Sequence, residues 1–213
     1  MCGISFFTGF FLIMGLFLDA AAAWAALQNK EYIFHVAKKG TVDTVRLSFS
    51  DFDFPHIAGM QYANDVDFGI RKSEFYGSRL VSAVLSGRID DKKIEKSKNW
   101  DKISGRLNAV INLQYILEND FTIARFSNSK VRGYSKINAK YVVKSKITDD
   151  IYFIFFDDRT GRYYCKSAFK KDVTDYFENQ TVVTVLYKAK SENGTVQTLY
   201  IKTGCQPDMN FPK

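Results

Sequence analysis

The chain has 213 residues, 46% hydrophobic and 15% aromatic, with 30 Lys and Arg against 23 Asp and Glu for a net charge of +7. That length buries one substantial core, so a single domain is expected, and the basic, aromatic-rich balance suits a polyanionic partner as readily as a merely solvated cationic surface. Cys2, Cys165 and Cys205 are odd in number and scattered without a CxxC pair, which argues against a disulfide framework or a zinc site and for a reducing compartment.

Residues 1–18, MCGISFFTGFFLIMGLFL, carry no charge. The run is short for a spanning helix, and a secretory leader would start with a cation, whereas the first lysine is Lys30. Three readings stay open: an uncleaved anchor, an atypical signal peptide, or residues upstream of a true start near Met14. The expected layout is an apolar segment 1–19, one domain over 20–205 and a frayed tail over 206–213. A cytoplasmic location is expected, with membrane association or secretion through the first 18 residues as the alternative.

Residues 20–28 read as a short helix. EYIFHVA (31–37) and DTVRLSFS (43–50) flank a turn at Gly40, and alternation in the second buries Val45, Leu47 and Phe49. His35 lies in the first of these strands, where an aromatic ring ordinarily serves cross-strand pairing. At DFDFPHIAGMQYAN a helix is expected, with Asp53 as cap, Pro55 in the first turn and Ile57, Met60 and Gln61 at helical spacing. His56 then sits in that first turn, where free N–H groups and the helix dipole favour an anion.

Helical patterns follow over 73–89, with Phe75, Leu80, Val84 and Leu85 on one side, and over 90–119. The second divides into a short basic helix and a longer one striped by Ile103, Leu107, Val110, Ile111, Gln114 and Leu117. After Asn119 come six β-type runs, and DDRTG between the third and fourth is a hairpin turn. The expected fold class is α+β: an N-terminal β-hairpin and helices followed by an antiparallel sheet.

No cofactor or metal motif is present: GxGxxG, a P-loop and HExxH are all absent, so no cofactor and no metal are expected. A nucleophilic triad also lacks its signatures. His56 remains, with cations and hydroxyls, and that set suits metal-free phosphodiester chemistry on RNA. Such chemistry needs a base for the ribose 2′-hydroxyl, a donor for the leaving oxygen and fixed cations for the charge growing on phosphorus. IEKSKNWDKISGR offers Lys96, Ser97, Lys102 and Arg106, although each alone also fits a solvated helix face. In RYYCKSAF, strict alternation places Tyr163, Cys165, Ser167 and Phe169 on one face and Tyr164, Lys166 and Ala168 on the other. Ser167 can donate to a phosphate oxygen and a tyrosine can stack on a base, while strand aromatics are more often core. Gln180 can meet a base edge or cap a strand, the latter being commoner.

The succession FxFPHIAGMQYA, LSGRI, IEKS, ISGR, IYFIFF, RYYCKSAF and QTVVTVLYK resembles the phage-associated branch of the barnase, EndoU, colicin and RelE-like nuclease superfamily, and within it the fourth phage-type group, from about Ala22 to Lys190. The resemblance implies helices followed by an antiparallel sheet and metal-independent endoribonuclease activity. It puts the HxxG signature on His56 and Gly59, the KS pair on Lys96 and Ser97, the helical arginine on Arg106, and the late strand serine and aromatic on Ser167 and Phe169. The expected catalytic set is therefore His56, Lys96, Ser97, Arg106 and Ser167, with Tyr62, Lys102, Tyr164 and Phe169 binding substrate. RNA is the expected partner, and an immunity or antitoxin protein is compatible with a toxin-like nuclease. Two other readings compete: a non-catalytic RNA- or ribosome-binding module of the same fold, and a membrane-anchored interaction domain.

Overall fold

The structure, a computed structural model, describes residues 15–69, 71 and 75–205. Most of the N-terminal apolar segment, residues 1–14, and the tail over 206–213 lie outside the described residues.

Helix α1 (Leu16–Leu27) leads into strands β1 (Lys30–Lys38) and β2 (Thr41–Ser48). The helical region follows: α2 (Phe54–Ile57), a 3₁₀ turn (Met60–Tyr62), α3 (Leu80–Leu85), a second 3₁₀ turn (Asp91–Lys96), α4 (Trp100–Ile111) and α5 (Leu113–Glu118). Six strands complete the chain: β3 (Thr122–Arg125), β4 (Tyr141–Ile147), β5 (Asp150–Arg159), β6 (Arg162–Lys170), β7 (Thr181–Glu192) and β8 (Thr195–Ile201). The β5–β6 connection has two consecutive residues at positive φ, Thr160 at 51° and Gly161 at 85°, the backbone signature of a tight hairpin turn whose twist matches its strands.

The α+β class is as expected, but the sheet is not a separate antiparallel layer. Strand order β1-β2-β6-β5-β4-β3-β7 returns to β1, closing a seven-stranded barrel, with β8 added outside β7. The N-terminal hairpin is thus built into the wall between β6 and β7. β2 meets β6 in parallel, through Leu47↔Tyr163 and Ser48↔Tyr164, while the other pairings are antiparallel. The parallel pair joins segments more than a hundred residues apart, so no local turn signal announces it.

One cluster joins Phe34, Val45, Leu47, Val143, Ile154 and Phe156 of the barrel to Trp24 of α1 and Ile103, Leu107 and Val110 of α4. A second lies on the opposite face of β3–β5, where Ala124, Val142, Phe153 and Phe155 are covered by Phe126, Val131, Tyr176 and Phe177. Burial on both faces is why β5 reads as the continuous apolar run IYFIFF rather than alternating.

α1 belongs to this core. Phe17, Ala20, Ala21, Trp24 and Leu27 are fully buried, so the packed structure begins ahead of the boundary expected at residue 20. Among the described residues no helix is long and apolar enough to cross a membrane.

Three local expectations change. The helix at Asp53 lasts four residues, Phe54–Ile57, because Gly59 adopts φ 84° and turns the chain into the 3₁₀ segment. Asp53 does not cap it; its carboxylate instead accepts from Arg159 at 3.1 Å. In the 73–89 region the described residues include a helix over Leu80–Leu85, and while Phe75, Leu80 and Val84 are buried, Leu85 is exposed.

Trp24 ties these parts together. Its Nε1 donates to the Ser50 carbonyl at 3.2 Å, and its ring meets Phe49 edge-on at 5.5 Å and Phe54 at 5.9 Å. Trp24→Ala should lower the unfolding free energy by about 3–5 kcal/mol in urea titration, the range for emptying a buried aromatic site. A loss below about 1 kcal/mol would show that α1 is not part of the cooperative core.

Candidate functional site

The peptide FPHI explains the placement of His56. Phe54, Pro55 and Ile57 are buried, Phe54 stacking on Phe17 at 6.2 Å, and His56 alone is exposed. Three anchored neighbours therefore hold one imidazole at the surface. A four-residue helix has little dipole, so the anion preference expected at its start does not come from the backbone. Side chains supply the positive field.

The imidazole pKa is lowered, first by the protein crowding one side of the ring although water reaches the other, then by the charges of Arg106 and Lys166. At pH 7 the ring is neutral and able to accept a proton.

Arg106 projects from α4 into the space between two elements. Its guanidinium lies 5.4 Å from the Tyr62 ring centroid and 5.4 Å from that of Phe169, and its NH1 donates to Ser167 Oγ at 3.2 Å. Desolvation pulls the guanidinium pKa below its usual value, with Tyr62, Cys165 and Tyr176 acting in the opposite direction. Among the described residues no carboxylate pairs with it. Lys102, one helical turn earlier, stands 5.9 Å from the same Tyr62 ring.

Gly59 makes this approach possible. A Cβ at this position would lie 2.8 Å from Arg106 Cδ and 3.7 Å from the Ile103 backbone, so a side chain would push α4 and its arginine outward.

β6 supplies the opposite wall through a bulge. Phe155 pairs with Ser167 and Phe156 with Cys165, leaving Lys166 as an extra residue. The bulge breaks the strict alternation expected of this strand. Tyr163, Cys165 and Ala168 pack in the barrel cluster, whereas Ser167 and Phe169 stand opposite Phe155 and Phe153 on the other face. Ser167 is buried, and because its oxygen accepts from Arg106, its own O–H remains available to a ligand oxygen. The bulged Lys166 is fixed by Asp157 at 2.5 Å.

Of the expected residues, contacts or fields join His56, Tyr62, Lys102, Arg106, Ser167 and Phe169. Ser97 is engaged elsewhere. Its buried hydroxyl donates to Asp65 at 2.7 Å and accepts from the Asn99 N–H at 3.2 Å, tying the Tyr62–Asp65 turn to the start of α4. Asn99 reinforces this by donating to the Tyr62 carbonyl at 2.9 Å. Lys96 is exposed, and among the described residues nothing pairs with it. Tyr164 is covered by Arg159, whose guanidinium lies 3.8 Å from its ring centre. Gln180 is structural, bridging Ser127 N at 2.8 Å and Ser127 O at 3.1 Å, and so is His35, whose Nδ1 meets Thr44 Oγ1 at 2.9 Å. Lys166 and Tyr176, both acting electrostatically on this site, escape sequence reasoning. Nothing in DVTDYFENQ or in an alternating strand marks them. Among the described residues, no three His, Cys, Asp or Glu side chains gather as metal ligands.

Two helices thus bring an imidazole and an arginine toward a hydroxyl on a barrel strand, in an α+β fold. A family model described as phage-Barnase-EndoU-ColicinE5/D-RelE like nuclease4 matches residues 16–203, most of the chain, and the protein belongs to that nuclease family. No curated protein and no solved structure matches it.

Two glycines separate backbone strain from crowding. Gly40 has φ 82° with nothing within 4 Å of where a Cβ would stand, so Gly40→Ala should cost only the left-handed backbone penalty, about 1–2 kcal/mol. Gly59→Ala should cost clearly more in thermal unfolding, because it also displaces Arg106. Equal losses would mean that the Gly59–Arg106 approach is relaxed at no cost.

Proposed function

We propose that the protein is a metal-independent endoribonuclease that cleaves RNA by attack of a ribose 2′-hydroxyl on the adjacent phosphorus. The observation behind this is the pairing of a neutral, solvent-reachable imidazole with a largely buried arginine that no carboxylate neutralises. His56 takes the 2′-hydroxyl proton; the new bond from O2′ to phosphorus forms as the bond to O5′ breaks, and O5′ takes a proton from solvent. The products are a 2′,3′-cyclic phosphate and a free 5′-hydroxyl. Arg106 faces the charge that builds on the phosphoryl oxygens, and the Ser167 hydroxyl donates to one of them. Tyr62 and Phe169 hold the guanidinium in place and exclude water from it, and Lys102 and Lys166 add positive field. RNA rather than DNA is the substrate because only RNA carries the internal nucleophile. A toxin-like role with an immunity partner is compatible with this chemistry.

Family membership and the grouping of Arg106 with Ser167 and Phe169, beside Gly59 and within the field that reaches His56, support the reading. A second reading, a non-catalytic RNA-binding module, draws on one observation: among the described residues nothing hydrogen-bonds to the His56 ring to fix its tautomer.

Purified protein should cleave mixed RNA in EDTA, and His56→Ala should lose about a hundredfold or more in rate. Arg106→Lys should lose a further comparable factor, on the order of 10²–10³, because an ammonium cannot span the rings and Ser167 together. Salt-sensitive RNA binding without turnover would favour the second reading.

The pH profile follows from the sign of the His56 shift. Its pKa in the free protein lies below 6.5, so kcat/KM should rise with pH through a limb below 6.5 and then level off. A bound phosphate restores negative charge beside the ring, so the kcat limb should lie at higher pH than the kcat/KM limb. A kcat/KM limb above about pH 7 would exclude His56 as the base.

A further inference from the structure

The start of β6 borders a second feature, which the chemistry above does not use. Asp43 of β2, Arg125 of β3, Lys140, Tyr141 of β4 and Tyr163 of β6 line an open pocket of about 490 Å³, within the range of small-molecule sites. Its polar groups are arranged asymmetrically. Arg125 NH2 donates to Asp43 Oδ2, and the Tyr141 hydroxyl donates to the same oxygen at 2.8 Å. Oδ1 accepts no hydrogen bond among the described residues, so a carboxylate clamped through one oxygen offers the other to the pocket. The walls beside it are aromatic: Tyr163 lies 5.9 Å from Tyr141, with the Lys140 ammonium 5.8 Å from the Tyr163 ring centre. Lys140 is held by Asp158 at 2.7 Å and Tyr163 is half-buried, so both are braced from behind.

The geometry points to a nucleobase subsite: this pocket takes a base of the bound RNA that carries an exocyclic amino group, whose N–H donates to Asp43 Oδ1. It rests on the RNA reading above and names a base preference for it. Two considerations agree. A free carboxylate oxygen accepts from an amino donor, whereas uracil presents its N3–H between two carbonyl oxygens that the carboxylate repels. A flat π-face and a cation suit a base and its adjoining phosphate.

Two measurements test this. In fluorescence anisotropy with labelled oligo(A), oligo(C) and oligo(U), run on a His56→Ala background so that no substrate is consumed, oligo(A) and oligo(C) should bind roughly tenfold more tightly than oligo(U). Asp43→Asn should erase most of that difference, because the amide keeps the size of the side chain but not its charge. Tyr163→Leu, which retains apolar bulk in a partly buried position, should weaken all three oligomers by removing the stacking face. In the catalytically intact protein, sequencing of cleavage ends from a randomised RNA should show a base preference at one position away from the cut that Asp43→Asn flattens, with bulk cleavage largely retained. Equal binding of the three oligomers, or a preference that Asp43→Asn leaves in place, overturns the subsite. Failure of the protein to cleave any RNA overturns the nuclease reading but leaves the anisotropy result to decide the pocket.

Discussion

The fold holds the Arg106 guanidinium partly out of water, and among the described residues no carboxylate pairs with it. Removing a cation from water costs several kcal/mol when no opposite charge meets it, so the surrounding packing has to hold Arg106 in that position. Two aromatic rings, one serine oxygen and a glycine that yields space are the means. A carboxylate at the same place would have satisfied the arginine and stabilised the protein further.

The supports for that arginine come from distant parts of the chain. Ser97 and Asn99 grip the turn that carries Tyr62, so the wall of the site is positioned by the loop that starts the arginine's own helix. The β6 bulge turns Ser167 and Phe169 toward Arg106 while leaving Tyr163 and Cys165 in the barrel core. Lys166, the residue displaced by the bulge, is in turn fixed by Asp157 and contributes to the field at His56. One inserted residue thus divides a strand between packing and chemistry.

Much of this is legible in the chain because it is written locally. Alternation in DTVRLSFS, the apolar run of β5 and the DDRTG turn mark strands whose neighbours are close in sequence. The stripe of Ile103, Leu107 and Val110 likewise marks the buried face of α4, and Arg106 falls beside it. What is not legible is long-range or depends on a single backbone angle. The parallel meeting of β2 with β6 and the closure of β7 on β1 have no local signal. The HxxG signature marks Gly59 but not its conformation, and it is the φ that ends α2 and admits Arg106. Ser97 is expected to position phosphate as the second residue of the KS pair that the family resemblance implies, yet in the fold its hydroxyl donates to Asp65. Alternation puts Ser167 and Phe169 on the face of Tyr163 and Cys165 because it takes no account of an extra residue.

The closure of the barrel also sets an order of events. β1 and β2 are made early, but their partners β7 and β6 lie some hundred or more residues later in the chain. A chain dominated by such distant pairings folds slowly, and during synthesis the first hairpin waits for strands that have not yet left the ribosome. Arg106 cannot meet Ser167 until β6 has emerged. The contact between Arg106 and Ser167 is therefore among the late products of folding, made only once β6 has joined β2 and β5.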